Sequence, residues 1–168
     1  MSTDSVVIVG TGVAGATAAL ALRTGGFDGA VTLVGRDQHL PYRRPTLSKD
    51  VLLTGMPVEK ALLKPATHWE DIGVAVRTGV VVTGGDTAAR TLELSDGAAL
   101  AYGSLVLATG GAARELPGLP PAPRVKYLRD FADATALRDE LGRAGSVIVL
   151  GAGLIGSEVA SAAAKLGA

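Results

Sequence analysis

The chain has 168 residues, 48% of them hydrophobic and 19% charged, which is enough apolar material for one packed domain and part of a second. Lysine plus arginine and aspartate plus glutamate number 16 each, so the zero net charge predicts neither a nucleic-acid partner nor a membrane partner. Because these residues include no cysteine, they exclude disulfides, thiolate zinc sites and a redox-active cysteine pair, and we predict no metal site.

The first elements predicted are a strand, a helix and a second strand. The β-branched run at residues 6–9 is typical of a central parallel strand that is buried on both faces. A glycine motif at 10–15 follows, and an alanine-rich helix at 13–24 leads to a strand at 30–34. We therefore expect a βαβ unit with a right-handed crossover.

The segment that follows is predicted to be mostly irregular. Pro41 and Pro45 predict a loop at residues 41–49, because proline lacks a backbone donor and restricts the residue before it. A short helix is expected at 66–72.

An antiparallel flap is predicted in the middle of the chain. Its β-rich pieces lie at residues 74–83, 90–94 and 98–101. Asp96 and Gly97 predict a tight hairpin turn between the last two pieces. A buried strand at 105–108 is expected to return to the parallel sheet.

Four prolines between residues 117 and 123 indicate a domain boundary. We predict a first domain at 1–111, a linker at 112–129 and an incomplete second domain at 130–168. Asp130 is expected to cap a helix that begins at Phe131, with Asp133 in its first turn. A strand at residues 147–150 and a second glycine motif at 151–156 then open another helix.

Targeting signals are not evident in the sequence. The N-terminus lacks the basic region of a signal peptide, and no apolar run approaches the roughly 18 residues of a membrane span. A cytoplasmic location is expected.

Each glycine motif has the spacing of a dinucleotide-binding turn. The first glycine permits a tight turn, the second lets a pyrophosphate approach the backbone, and the third lets helix and strand pack closely. Amides at the helix start then bind phosphate oxygens. Such turns also occur without any ligand, although two of them in strand-turn-helix context favour nucleotide binding. Arg36 and Asp37 follow the second strand. We expect them either to contact the adenosine end of a bound dinucleotide or to form a surface ion pair with one another.

The motifs that carry a family resemblance occur in order at residues 6–15, 41–49, 108–111, 127–129 and 151–158. The loop at 41–49, with its prolines and terminal lysine, is far more specific than the glycine motifs. Over essentially its whole length the chain resembles the ferredoxin reductase branch of the FAD-dependent pyridine-nucleotide oxidoreductases, the putidaredoxin and rubredoxin reductase type.

The resemblance implies an α/β fold. A Rossmann-like FAD-binding domain, with a parallel sheet, helices and an antiparallel flap, would precede the start of an NAD(P)-binding Rossmann unit. The residues implied to contact FAD are Gly10, Gly12, Val13, Ala14, Gly15, Arg36, Asp37, Arg44, Lys49, Val82, Ala108, Thr109, Gly110 and Arg129. Those implied to contact NAD(P)H are Gly151, Gly153, Leu154, Ile155 and Gly156.

The resemblance also implies a catalytic pair. Lys49 would lie beside the flavin near N5 and pair with Glu158. A cation there stabilises negative charge on a reduced flavin, and Glu158 would balance the cation when the flavin is oxidised. Because the disulfide-reductase branches use cysteines that this chain lacks, electrons are expected to pass from NAD(P)H through FAD to a ferredoxin-type or rubredoxin-type carrier.

The chain departs from the family pattern at three points. Arg36 stands where the family usually has an acid, and Thr46 replaces the second proline of the loop. The sequence given also ends at Ala168, before the rest of the NAD domain, the return segment and the C-terminal domain of the family. We therefore expect these residues alone to be inactive, with a non-catalytic FAD-binding fragment as the alternative function. A flavin monooxygenase is a weaker alternative, because the proline loop with its lysine speaks against it.

Overall fold

The computed structural model describes residues 4–168, which divide into two compact units. The first comprises the residues up to Tyr42 together with Leu62–Gly111, and the second comprises Arg43–Ala61 together with Ala112–Ala168. Segment Arg43–Ala61 thus belongs to the second unit, although it lies within the range expected for the first domain. The domain bounds derived from the sequence stay a prediction.

The helices in the described part of the chain are α1 (Val13–Thr24), α2 (Leu52–Thr54), α3 (Val58–Ala61), α4 (Ala66–Asp71), α5 (Phe131–Leu141) and α6 (Leu154–Leu166). The strands there are β1 (Ser5–Val9), β2 (Ala30–Val34), β3 (Val74–Arg77), β4 (Val82–Asp86), β5 (Thr91–Leu94), β6 (Ala99–Ala101) and β7 (Ser104–Leu107). None of these helices is long and apolar enough to cross a membrane.

A parallel sheet with the strand order β3-β2-β1-β7 forms the centre of the first unit. Val9 of β1 pairs with Val34 on one side and with Leu107 on the other. The predicted central strand is therefore confirmed. Its apolar residues are continuous because parallel neighbours lie on both sides and side chains are buried on both faces.

Successive side chains of β1 enter two different hydrophobic cores. Val6 and Ile8 pack in the core that contains α1 residues and Trp69 of α4. Val7 and Val9 point to the opposite face and pack in the core that contains residues of the antiparallel sheet β4-β5-β6. The parallel sheet is thus covered by helices on one face and by the antiparallel flap on the other.

Two strand predictions need correction. The piece expected at 74–83 divides at Gly79, whose positive φ of +69° makes a turn, so β3 joins the parallel sheet and only β4 joins the flap. The strand expected to be buried at 105–108 is β7, an edge strand of the described sheet. β7 pairs with β1 on one side and with no described strand on the other, and its last residue, Leu107, is 72% exposed.

The predicted loop at 41–49 is largely helical. A 3-10 turn at Arg44–Thr46, a π-helical turn at Leu47–Val51 and α2 follow one another without a break. Pro45 lies in the first turn, where its missing N–H would have had no helical partner, so it starts the helix instead of preventing it.

The strand predicted at residues 147–150 does not form. Ile148 is 87% exposed and Leu150 is 64% exposed. No strand of residues 4–168 lies beside this segment, and an isolated extended segment cannot satisfy its backbone groups by pairing. The second glycine motif and α6 nevertheless form as predicted.

The predicted start of α5 is confirmed. The Asp130 carboxylate accepts a hydrogen bond from the Asp133 backbone N–H at 3.0 Å. The Asp133 carboxylate accepts in return from the Asp130 N–H at 3.1 Å, which completes a capping box.

Replacing Asp130 with alanine should lower the free energy of unfolding by about 1 kcal/mol, because the first turn of α5 loses its side-chain acceptor. Asp139→Ala is the matched control on the exposed part of the same helix, with an expected change below about 0.5 kcal/mol. Urea unfolding followed by circular dichroism measures both. Equal losses in the two variants would contradict the capping role.

Candidate functional site: two glycine loops and a lysine–glutamate pair

The first glycine loop, residues 10–15, brings backbone segments into close contact. Gly10 has a φ of +119°, and an added Cβ would lie 2.1 Å from the carbonyl oxygen of Ala108. A Cβ on Gly15 would lie 1.9 Å from the carbonyl oxygen of Gly10. Neither position accepts a side chain. At Gly12, by contrast, no atom lies within 4 Å of an added Cβ, so open space lies beside the backbone there.

The N-terminus of α1 opens directly from this loop. No side chain caps the helix, and Val13 and Ala14 in its first turn are exposed. The first amides of a helix have no partner within the helix and carry the positive end of its dipole. The open space beside Gly12 is therefore suited to a phosphate or another anion.

The ends of the neighbouring strands lie close to the first glycine loop. An added Cβ on Gly35, after β2, would lie 2.6 Å from Thr11 Oγ1, and exposed Arg36 follows directly. The Asp37 carboxylate accepts hydrogen bonds from the Tyr42 hydroxyl at 2.8 Å and from the His39 backbone N–H at 3.2 Å. Asp37 thus holds its own loop together.

The candidates that follow β7, residues 108–110, also lie at the carboxyl end of the parallel sheet, beside the first glycine loop. The Ala108 N–H donates to the Val9 carbonyl oxygen at 2.8 Å, and the Thr109 nitrogen would lie 3.0 Å from a Cβ on Gly10. Gly110 follows with a φ of +67°. Val82 is elsewhere, in β4, where it packs against the core on the flap side of the sheet.

The second glycine loop, residues 151–156, repeats the backbone conformation of the first. Gly151 has a φ of +117°, and a Cβ on Gly156 would lie 2.0 Å from the Gly151 carbonyl oxygen. No atom lies within 4 Å of a Cβ on Gly153, and no side chain caps α6. Leu154 and Ile155 are exposed in the first turn of that helix.

Lys49 and Glu158, the predicted catalytic pair, form an ion pair in the second unit. Lys49 Nζ lies 3.5 Å from Glu158 Oε1, and the two side chains are 54% and 31% exposed. The Ser48 hydroxyl donates a hydrogen bond to Glu158 Oε2. This bond is the main cause that lowers the pKa of Glu158, with attraction to Lys49 as a weaker cause, and partial burial opposes both.

Ser48 is a site residue that the sequence did not identify. It lies in the proline-loop motif, for which the sequence predicts an irregular loop and no buried side chain. The structure buries Ser48 to 6% exposure in the π-helical turn, next to Lys49. A prediction of helix for this segment could have indicated that Ser48 is a polar residue that faces the interior.

Two further candidates, Arg44 and Arg129, meet in the second unit. Arg44 Nη1 donates to the Arg129 carbonyl oxygen at 2.6 Å. Arg129 Nε is buried and has no hydrogen-bond partner among the described residues. A buried donor of this kind can donate a hydrogen bond to an anionic or carbonyl ligand, because leaving it unpaired costs free energy.

A family model described as pyridine nucleotide-disulphide oxidoreductase matches residues 4–168. Rhodocoxin reductase of Rhodococcus erythropolis is 43% identical over 165 residues, which are 97% of this chain and 38% of the relative. The ferredoxin–NAD(+) reductase component of the p-cumate 2,3-dioxygenase system of Pseudomonas putida is 43% identical over 164 residues, 97% of this chain and 40% of the relative.

Among solved structures, putidaredoxin reductase in its covalent complex with putidaredoxin matches with a TM-score of 0.84 and 36% identity. The match covers 97% of this chain and 40% of that chain. The chain therefore belongs to the pyridine nucleotide-disulphide oxidoreductase family, and its relatives include ferredoxin reductases. It spans about 40% of the length of these relatives.

The two kinds of glycine in the first loop should respond differently to a methyl group. Gly15→Ala should cost about 3 kcal/mol or more, because the new Cβ overlaps a backbone oxygen that has no room to move. Gly12→Ala, the matched control, should cost no more than about 1 kcal/mol, mainly through a poorer helix cap. Urea unfolding compares the two, and a similar cost for both would contradict the observed packing.

Acid should remove the stabilisation that ionised Glu158 gains from the Ser48 hydrogen bond and, to a smaller extent, from Lys49. Because the folded-state pKa of Glu158 is lowered, ionised Glu158 favours the folded state above the unfolded pKa, and this contribution is lost as the pH falls through the folded pKa. Wild type should therefore exceed Glu158→Gln in urea stability at neutral pH, and the two should converge in acid. A stability difference between wild type and Glu158→Gln that is the same at neutral and at acidic pH would contradict this prediction.

Proposed function

We propose that this chain is the FAD-binding portion, with the start of the NAD(P)H-binding unit, of a reductase that passes electrons to a ferredoxin-type or rubredoxin-type carrier. The observation that carries the proposal is the pair of glycine loops with matching backbone conformation, each of which opens an uncapped helix. Two such loops support two dinucleotides, and membership of the family supports FAD and NAD(P)H as their identities.

The first glycine loop fits a pyrophosphate. The bare backbone at Gly12 lets two phosphates approach the first amides of α1, where a side chain would block them. The residues proposed to line the rest of FAD are Arg36, Asp37, Arg44, Val82, Ala108, Thr109, Gly110 and Arg129. The buried Nε of Arg129, which lacks a partner within residues 4–168, supports a polar ligand at that position.

Lys49 and Glu158 are proposed to act at the flavin ring. Bound FAD would supply the redox chemistry that links two-electron transfer from a nicotinamide to one-electron transfer to a carrier. The exposed ammonium of Lys49 supplies positive charge where negative charge develops, and Glu158 holds that ammonium by its carboxylate. Because Glu158 stays ionised at neutral pH, the pair carries no net charge before the reaction.

The second glycine loop is proposed to begin the NAD(P)H site, with Gly151, Gly153 and Gly156 shaping the turn and Leu154 and Ile155 in the first turn of α6. The names of the relatives support a ferredoxin-type or rubredoxin-type acceptor: one is a ferredoxin–NAD(+) reductase component, and one structure joins a reductase to putidaredoxin. We propose a cytoplasmic location on the sequence argument given above.

A non-catalytic FAD-binding module is the second candidate function. It is favoured by the segment at residues 146–150, which forms no strand in the described chain and leaves the second glycine loop without a sheet behind it. These 168 residues would then bind FAD through the first loop and show no reduction by NAD(P)H.

A charged residue at Gly12 tests the FAD site. Aspartate and asparagine are both good helix caps, so Gly12→Asp and Gly12→Asn should keep the fold. The carboxylate repels a pyrophosphate, and Gly12→Asp should therefore weaken FAD binding roughly tenfold or more relative to Gly12→Asn, or about 1.4 kcal/mol. Quenching of FAD fluorescence on titration with protein measures both affinities. Because either side chain also occupies the space of the phosphates, both variants should bind FAD more weakly than wild type, and wild-type affinity in both would count against the pyrophosphate site.

Reduction of ferricyanide by NADH separates the two candidate functions. If these residues turn over by themselves, against the expectation from the sequence, NADH should bleach the flavin absorption band, and Lys49→Met should slow the turnover while FAD stays bound. A chain that binds FAD but never bleaches would establish the non-catalytic module for these residues.

A further inference from the structure

We propose that Ser48 is a positioning residue, whose hydroxyl fixes the Glu158 carboxylate in the orientation that pairs with Lys49. The consequence for the flavin rests on the proposed function, whereas the contact itself lies within the second unit. Ser48 thus differs from Lys49 and Glu158, which are proposed to act at the ring.

The two oxygens of the Glu158 carboxylate have separate partners. Oε2 accepts from the Ser48 hydroxyl, and Oε1 faces the Lys49 ammonium at 3.5 Å. An ion pair between exposed side chains is weak when it stands alone, because two long side chains must be held in one geometry. A hydrogen bond from a buried hydroxyl removes that freedom from the carboxylate, so only the lysine remains to be ordered.

The π-helical turn explains why Ser48 serves as the fixed partner. Its neighbours Leu47 and Val51 are 3% and 1% exposed, so packing anchors the turn on both sides of the serine. Ser48 itself is 6% exposed, whereas the side chain of Lys49 is 54% exposed. Ser48 therefore holds the Glu158 carboxylate from the interior, and the charge of Lys49 is exposed to solvent. π turns are uncommon in helices and often mark functional sites.

Lys49 is the charged group among the causes of the lowered pKa of Glu158. The π turn, which packs against α6, carries Lys49 and Asp50, and α2 carries no ionisable residue. Helix α5, which also packs against the π turn, carries Asp133, Arg138, Asp139 and Glu140, and Arg138 donates to the Leu52 carbonyl oxygen. The Ser48 hydrogen bond is the largest cause of the lowered pKa of Glu158.

Ser48 determines where the ammonium of Lys49 is held in the proposed enzyme. Without the hydroxyl, the Glu158 carboxylate is free to rotate toward solvent and to take Lys49 with it. A serine is suited to this task because it binds an ionised carboxylate without adding charge, so the pair remains neutral.

The test is the pKa of Glu158 in the 168-residue chain, measured by NMR titration of its side-chain carboxyl carbon. Ser48→Ala should raise this pKa toward the ordinary value, and Ser48→Thr, which keeps the hydroxyl, should restore the lowered pKa. Thr54→Ala is the matched control, because it removes an exposed hydroxyl that donates to the Asp50 carbonyl oxygen in the same helical segment. It should leave the pKa of Glu158 unchanged.

An unchanged pKa in Ser48→Ala, or the same rise in Thr54→Ala, would overturn the positioning role. If Ser48→Ala does not fold, Ser48→Cys serves instead, because it keeps nearly the same volume and carries only a weak donor. The pKa of Glu158 in Ser48→Cys should lie above its pKa in wild type. FAD titration of the same samples separates the two proposals. If the pKa of Glu158 rises in Ser48→Ala but the protein does not bind FAD, only the proposed function is contradicted. If the protein binds FAD but the pKa of Glu158 is unchanged in Ser48→Ala, only the role of Ser48 is contradicted.

Discussion

The close approach of backbone to backbone within each glycine loop is the constraint on which the candidate sites depend. In the first loop the Cα of Gly15 comes so close to the carbonyl oxygen of Gly10 that no side chain fits between them. This contact lets α1 begin immediately after β1 and leaves its first amides exposed beside the bare backbone of Gly12. The anion site proposed here is thus built from the main chain, which explains how neutral residues can form it.

The second glycine loop shows that this geometry is largely local. Gly151 and Gly156 reproduce the contact of the first loop although residues 146–150 form no strand. What the second loop lacks is a neighbour: a Cβ on Gly10 meets Ala108, whereas a Cβ on Gly151 meets nothing within 4 Å. The turn is therefore encoded by its own glycines, and an adjoining strand contributes the packing around it.

Side chains supply the charge that the backbone does not. Lys49 is the exposed member of a network of three side chains. The buried hydroxyl of Ser48 holds the Glu158 carboxylate, and this carboxylate holds the Lys49 ammonium. Such an arrangement keeps a cation in one place without a net charge in the resting protein. It also joins two segments that are distant in sequence, the π turn around Ser48 and the first turns of α6 around Glu158.

The sequence by itself determined the elements whose signals are local: the strand-turn-helix around the first glycine motif, the glycine turn and helix of the second motif, the capping of α5 by Asp130, and the hairpin at Asp96 and Gly97. It also identified Lys49 and Glu158 through the family motifs. Only the tertiary structure decided the rest. The helical segment with Pro45 in its first turn packs on α6, β7 is an edge strand because β1 is the one described strand that pairs with it, and Ser48 joins the site because folding brings residue 158 to it. These outcomes depend on contacts between residues far apart in the chain, which no local pattern records.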